Sequence, residues 1–211
     1  MLTALTNPAL VVVDMQNDFV RVGAPMEVPA ARDTIASIRA LLAGFRNRGK
    51  PVIFTRYVAD MRYRPLAAKL DWLGLLDAPT RACVPGFQRG YGDVEGTRDA
   101  AAVIDELPPR AGEPIIDKVY FSAFHETDLD ARLRERGVDG LVFTGTVTEM
   151  CVEDSARHAV HHGYPTVLVS DAVSSNHPPS QQATLDAFAR NYGWVMNSAE
   201  VLETFGMQAT T

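Results

Sequence analysis

Short, unbroken apolar runs rich in β-branched residues recur along the chain, and segments of helical periodicity lie between them. Ala9-Leu10-Val11-Val12-Val13 is the first, and Pro51-Val52-Ile53-Phe54-Thr55 the second. Pro114-Ile115-Ile116-Asp117, Leu141-Val142-Phe143-Thr144 and Pro165-Thr166-Val167-Leu168-Val169-Ser170 follow, with Gly193-Trp194-Val195-Met196 as a candidate sixth. Runs of this length read as strands buried on both faces, the habit of parallel sheets. Between them, Ala30 to Arg48 carries Ile35, Ile38, Leu41, Leu42 and Phe45 at helical spacing. Further helices are predicted over 97–107, 128–136, 151–162, 180–191 and 198–205, with a shorter one at 66–76. Strand–helix alternation requires right-handed crossovers and a doubly wound, mainly parallel α/β sheet, three layers deep (αβα). No repeat, low-complexity segment or linker interrupts the 211 residues, so one domain spanning 1–211 is expected.

The stretch 56–96 is the exception. It is irregular, rich in Gly and Pro, and holds Tyr57, Tyr63, Trp72, Phe87 and Tyr91. A long irregular segment inside a compact domain is expected to be a lid, a binding loop or an oligomer contact.

In a parallel sheet, ligands bind beyond the carboxyl ends of the strands. Three reactive side chains stand there. Asp14 ends the first strand, Lys118 follows the third, and Cys151 follows the fourth. Topology thus gathers a carboxylate, an ammonium and a thiol from distant parts of the chain. Each has a bland reading: Asp14, like Asp18, as a turn cap, Lys118 as a surface lysine, Cys151 as a small buried hydrophobe. Together they suit covalent catalysis. Asp14 takes the thiol proton and returns it to a leaving group, Lys118 lowers the thiol pKa, and Cys151 attacks an electrophilic carbon. Cys151 is expected in the first turn of a helix, where the dipole also favours thiolate. Amides of the 146–151 turn are candidate oxyanion donors.

Phe19 and Phe121 flank these positions and are candidate pocket walls. Thr148, in the turn before Cys151, is a candidate substrate contact. Arg56 and Tyr57 follow the second strand on the same edge, and Arg56 either pairs a substrate carboxylate or is a solvated loop residue. His158 is expected on the face of Cys151 but too distant to act as its base. His161 and His162 read as a solvated helix end, and His125, His177 and Cys83 carry no compelling role.

A net charge of −6 and the absence of a basic cluster argue against nucleic acid. No apolar run approaches ~20 residues, so no membrane span is expected. Residues 1–8 lack a basic segment followed by an apolar core, and the cysteines number two. A reduced, cytoplasmic protein is therefore expected. No C-x-x-C pair occurs, and neither metal nor cofactor is expected.

Three stretches resemble the isochorismatase-like hydrolase superfamily, the cysteine hydrolases. They are Val11-Val12-Val13-Asp14-Met15-Gln16-Asn17-Asp18-Phe19, Lys118-Val119-Tyr120-Phe121-Ser122-Ala123-Phe124, and Thr144-Gly145-Thr146-Val147-Thr148-Glu149-Met150-Cys151-Val152, continued by Ser170-Asp171-Ala172-Val173. The resemblance spans nearly the whole chain. It implies six parallel strands, a triad of Asp14, Lys118 and Cys151, and a cis peptide at Thr146–Val147 with the Val147 and Cys151 amides as oxyanion hole. It implies hydrolysis of a C–N bond in a small amide, ureido or carbamoyl compound, with ammonia released through a Cys151 acyl intermediate, in a homodimer or homotetramer. Cys151 argues against isochorismatases proper, which lack this cysteine. Thr55-Arg56-Tyr57-Val58-Ala59-Asp60 lacks the histidine of a nicotinamidase metal site, and Phe121 stands where the family has tyrosine. The competing functions are vinyl-ether hydrolysis through Asp14 without thiol catalysis, a thiol redox sensor, and a flavodoxin-like binding module. No phosphate-cradling glycine loop follows the first strand to favour the last of these.

Overall fold

Six of the apolar runs pair side by side in a computed structural model that describes residues 2–58 and 60–208. The strands are β1 (Pro8–Val13), β2 (Val52–Tyr57), β5 (Ile115–Lys118), β6 (Gly140–Thr146), β7 (Thr166–Ser174) and β8 (Trp194–Met196). Their spatial order is β5-β2-β1-β6-β7-β8, and every pair is parallel. β3 (Gln88–Gly90) and β4 (Thr97–Asp99) form a separate antiparallel hairpin. The helices are α1 (Asn17–Val20), α2 (Ile35–Asn47), α3 (Leu129–Glu135), α4 (Glu153–His161), α5 (Pro178–Asn191) and α6 (Ser198–Thr204).

Alternation of side chains along β1 builds two cores. Leu10 and Val12 join Ile38, Leu41 and Phe45 of α2 and Val201 of α6 on one face. Ala9, Val11 and Val13 join Leu129 of α3, Ala156 of α4 and Phe188 of α5 on the other. All six residues of β1 are buried, as a central strand covered on both faces must be. Strand order reverses at β1, with β2 on one side and β6 on the other, and open α/β sheets place their ligand crevice at such a switch point. Val13 lies opposite Gly145, and Tyr57 opposite Lys118, so the carboxyl ends of four strands are level. At the switch point β1 and β6 approach so closely that a Cβ on Gly145 would sit 2.0 Å from the Val13 carbonyl oxygen. Its φ of +106° also lies where side chains are disfavoured.

The loop after β1 does more than end a strand. The Gln16 amide accepts from the Tyr57 N–H (2.7 Å) and donates to the Tyr57 and Ala101 carbonyls (3.0 and 3.1 Å). Asn17 takes the carbonyls of Ala102, through its N–H, and of Asp99, through its side chain. Asp18, fully buried, accepts from the Cys83 N–H (2.8 Å), Arg89 Nε (2.8 Å) and the Tyr91 hydroxyl (2.6 Å). Asp18 is therefore the clamp on the irregular segment rather than a turn cap.

These bonds account for the clearest departure from the expected elements. Residues 97–107 are not a helix. Thr97–Asp99 is β4, and the carbonyls that would propagate a helix beyond it are taken by the 16–18 loop. Residues 66–76 likewise form parts of two 3₁₀ segments, Met61–Ala68 and Asp71–Leu76, the first containing Pro65. The helix expected from Ala30 begins as a 3₁₀ turn, Pro29–Thr34, before α2. Cys151 lies not in an α-helical first turn but in a wide π turn, Thr148–Val152, that leads into α4. π turns inside helices collect at functional sites. No helix among the described residues is long and apolar enough to cross a membrane.

Asp18→Ala leaves a buried guanidinium edge, a hydroxyl and an amide without their acceptor. It should lower unfolding free energy by about 3–5 kcal/mol, read from urea denaturation. A loss below about 1 kcal/mol, the level of an exposed pair, would remove Asp18 from this role.

Candidate active site

Lys118, the last residue of β5, is fully buried and sets its ammonium among a carboxylate, a thiol and a carbonyl. Nζ lies 2.7 Å from Asp14 Oδ2 and 3.2 Å from Cys151 Sγ, and donates to the Tyr120 carbonyl at 2.8 Å. The Tyr57 ring lies beside the ammonium, 5.4 Å from its centroid. Asp14, at φ +48°, is turned off the end of β1, and its Oδ1 accepts from the Thr55 hydroxyl at 2.6 Å. Oδ2 faces the ammonium but has no hydrogen bond of good geometry among the described residues, which leaves a lone pair for a thiol proton. The three expected side chains thus meet, and Thr55 joins them. A lone hydroxyl in the run Val52-Ile53-Phe54-Thr55, level with Asp14, was its only sequence signal.

Burial alone would depress the Lys118 ammonium, but Asp14 and Cys151 outweigh it and hold Lys118 above its ordinary value. Burial pushes the Cys151 thiol the other way, up to about 12, with Lys118 pulling it down and Asp14 adding to the rise. Lys118 thus acts on the thiol in the expected direction, and burial outweighs it. At neutral pH Cys151 rests protonated beside its acceptor, and the ion pair is Lys118–Asp14.

The turn that carries Cys151 begins with a cis peptide at Thr146–Val147, where the resemblance placed one. The Val147 carbonyl accepts from Met150 (3.1 Å) and from Val152 (3.2 Å), the amides on either side of Cys151. Cys151 opens onto a cavity of about 270 Å³. Phe19, Tyr57 and Phe121 line it as expected, and Trp72 joins them from the 71–76 segment. Trp72 packs edge-on against Tyr57 (5.9 Å) and tilted against Phe121 (6.0 Å), so the irregular segment is the wall facing the sheet edge. The apolar lining also includes Met26, Val28, Leu75 and Met150, and Glu27 and Asn176 add polar groups. The 23–28 loop carried no chemical motif, and in the 174–177 stretch the residue expected near the mouth was His177, whereas Asn176 lines the cavity.

Two expected contacts are corrected. Arg56 lies within β2, directly opposite Asp117 of β5, and its guanidinium holds that carboxylate at 2.7 and 2.8 Å. It is not among the residues lining the cavity. Thr148 is fully buried where the π turn begins, and it too is absent from the lining.

The histidines stand apart from the trio. The His158 ring bonds Ser122 Oγ (2.9 Å), and burial, then His162, lowers its pKa. His158 and His162 are four residues apart on or just beyond α4, a metal-ligand spacing, but their rings stack 5.1 Å apart. No cluster of three or more His, Cys, Asp and Glu able to hold a metal occurs among the described residues. Of the stretch read for the nicotinamidase site, Ala59 lies outside the described residues.

Comparison with known proteins identifies the family of the chain. Residues 8–200 match the family model described as the isochorismatase domain. The ureidoacrylate amidohydrolase RutB of Agrobacterium fabrum is 35% identical over 195 residues, covering 89% of this chain and 85% of the relative. The structure of a cysteine hydrolase from Pseudomonas syringae pv. phaseolicola superposes with a TM-score of 0.78 at 28% identity, covering 95% of this chain and 92% of that one. That of N-carbamoylsarcosine amidase from Thermoplasma acidophilum gives 0.72 at 30% identity, with 92% and 97% covered.

A thiol that rests protonated predicts a pH profile. Alkylation of Cys151 by iodoacetamide, in a Cys83→Ala background, should accelerate roughly tenfold per pH unit between about pH 7 and 10. The thiolate fraction grows throughout that window because the thiol is held above its ordinary value of 9.0. Lys118→Met, which removes the cation, should slow labelling at every pH. A plateau inside the window would mean that thiolate is already formed.

Proposed function

The chain belongs to the isochorismatase family, and from that premise we propose that Asp14, Lys118 and Cys151 are the catalytic residues of a cysteine-dependent amidohydrolase. The enzyme cleaves the C–N bond of a small amide, ureido or carbamoyl compound and releases ammonia. The carrying observation is the single buried ammonium that touches the Asp14 carboxylate and the Cys151 sulfur together, at the floor of a cavity.

The steps follow from the geometry. Asp14 Oδ2 takes the Sγ proton as Sγ bonds to the carbonyl carbon of the substrate. The resulting oxyanion is met by the Val147 and Cys151 N–H groups, a kind of contact worth about 10²–10³ in rate per donor. As the tetrahedral carbon collapses, the C–N bond breaks and the Asp14 proton passes to nitrogen, giving ammonia and a thioester on Cys151. Asp14 next deprotonates a water that attacks the thioester. The C–S bond breaks, the acid leaves, and the proton on Asp14 returns to sulfur. Lys118 stays charged throughout and stabilises whichever of Asp14 and Sγ carries the negative charge. A buried thiol with its base alongside suits this cycle, because charge appears on sulfur only as the carbon is attacked.

Cys83 and Cys151 are both unpaired, which supports work in the reducing cytoplasm. A single domain spanning 1–211, assembled as a homodimer or homotetramer, completes the reading, the assembly on the strength of the family resemblance.

Ammonia release from a panel of small amides, ureas and carbamoyl acids tests the proposal. Cys151→Ala and Asp14→Asn should each lower kcat on the order of 10⁴-fold or more, with the fold checked by circular dichroism. Turnover that survives Cys151→Ala but not Asp14→Asn would transfer the chemistry to Asp14 alone, as in vinyl-ether hydrolysis.

A further inference from the structure

The cavity wall carries information about the acyl group. Its aromatic members are Phe19, Tyr57, Trp72 and Phe121, and its aliphatic ones include Met26, Val28 and Leu75. Among the described lining residues Glu27 is the one charged side chain, and it is an acid. Its carboxylate is held in place by the Gly23 N–H (2.8 Å) and by Arg32 (2.8 Å). Asn176, opposite, donates to the Glu27 carbonyl at 2.9 Å and fixes the mouth between the two loops.

Lys118, Arg56, Arg32 and Arg89 are already engaged. Lys118 is ion-paired with Asp14 and donates to Cys151 Sγ and the Tyr120 carbonyl. Arg56 is locked on Asp117, Arg32 on Glu27 and the Val20 carbonyl, and Arg89 on Asp18. A carboxylate brought into this cavity would lose its water, find aromatic faces, and meet Glu27. Burying an unpaired charge is among the costliest events in recognition. The Tyr57 hydroxyl, buried and without a partner among the described residues, offers a hydrogen bond that a neutral polar atom can satisfy. Its pKa is raised, by burial first, so it stays a donor.

We infer that this site selects an uncharged carboxamide with an apolar, ring-sized acyl group, and discriminates against amides that carry a carboxylate. The inference rests on the amidohydrolase reading and narrows it. It also separates this chain from its relative named for ureidoacrylate, a compound that is itself a carboxylate. Glu27 and the aromatic wall are the specificity-determining elements, and neither is part of the reacting trio.

Two matched pairs test it on the purified full chain, with ammonia as the readout. One pair is 4-methylbenzamide and 4-carbamoylbenzoate, which differ by a methyl in place of a carboxylate. The other is the methyl ester of maleamate and maleamate itself. The neutral member should show the higher kcat/KM, on the order of 100-fold in at least one pair. Asn176→Arg puts a cation at an exposed point of the rim and should narrow the gap roughly fivefold or more. Leu75→Arg supplies an independent placement should the first variant fold poorly. Equal or faster turnover of the carboxylates by the native chain would overturn the inference and leave the amidohydrolase reading intact. A gap unmoved by either folded arginine variant would overturn its charge basis. Ammonia from none of the four compounds, with turnover of a urea or carbamoyl acid in the same assay, would overturn the inference and leave the amidohydrolase reading intact.

Discussion

One fully buried ammonium holds the site together. Lys118 is stable as a cation in the interior only because Asp14 stands 2.7 Å away, and Asp14 is stable as an anion only because of Lys118. Two unlike charges taken out of water must find each other, or one must neutralise. The pair therefore fixes the depth of the sheet edge at which β1 and β5 end, although β2 lies between them. Thr55 of β2 fills that gap by binding the other oxygen of Asp14. Cys151 is then added to an electrostatic arrangement that is already closed, and burial, first of all, holds its thiol up.

The same economy appears in the backbone. β1 and β6 meet at the switch point with no room for a side chain at Gly145, and the turn that follows brings Cys151 over the sheet edge. On the opposite side, the Gln16-Asn17-Asp18 loop fastens β2, the 83–91 segment and the 99–102 segment to the end of β1. The floor of the cavity is thus sheet and its wall is loop, tied down through buried polar side chains rather than through regular structure.

This division explains what could be read in advance. Strand ends are legible because apolar runs announce them, so Asp14, Lys118 and Cys151 could be brought together from sequence. Phe19, Phe121 and Tyr57 were legible for the same reason, being neighbours of those ends. Arg56 was not: its partner Asp117 is distant in sequence and becomes adjacent only through the register of β2 with β5. Nor was the fate of residues 97–107, where helical spacing lost to hydrogen bonds offered by a loop some 80 residues earlier. The lowering pull of Lys118 on Cys151 was legible, but the net rise turns on depth of burial, which neither a nearby charge nor a helix end reveals. Trp72 was legible only as part of a segment read as a lid, binding loop or oligomer contact, and Glu27 and Asn176 belong to loops that carry no motif.

The closed Lys118–Asp14 pair has a bearing on how molecules arrive. At rest the trio sums to no net charge, and the chain around it is acidic at −6. Such a site projects no attractive field for an anion into the surrounding water. Encounter is then left to plain diffusion and to the fit of the cavity mouth. Association of an uncharged substrate would be nearly indifferent to ionic strength, and the enzyme would keep its pace as salt rises, where an electrostatically steered hydrolase slows.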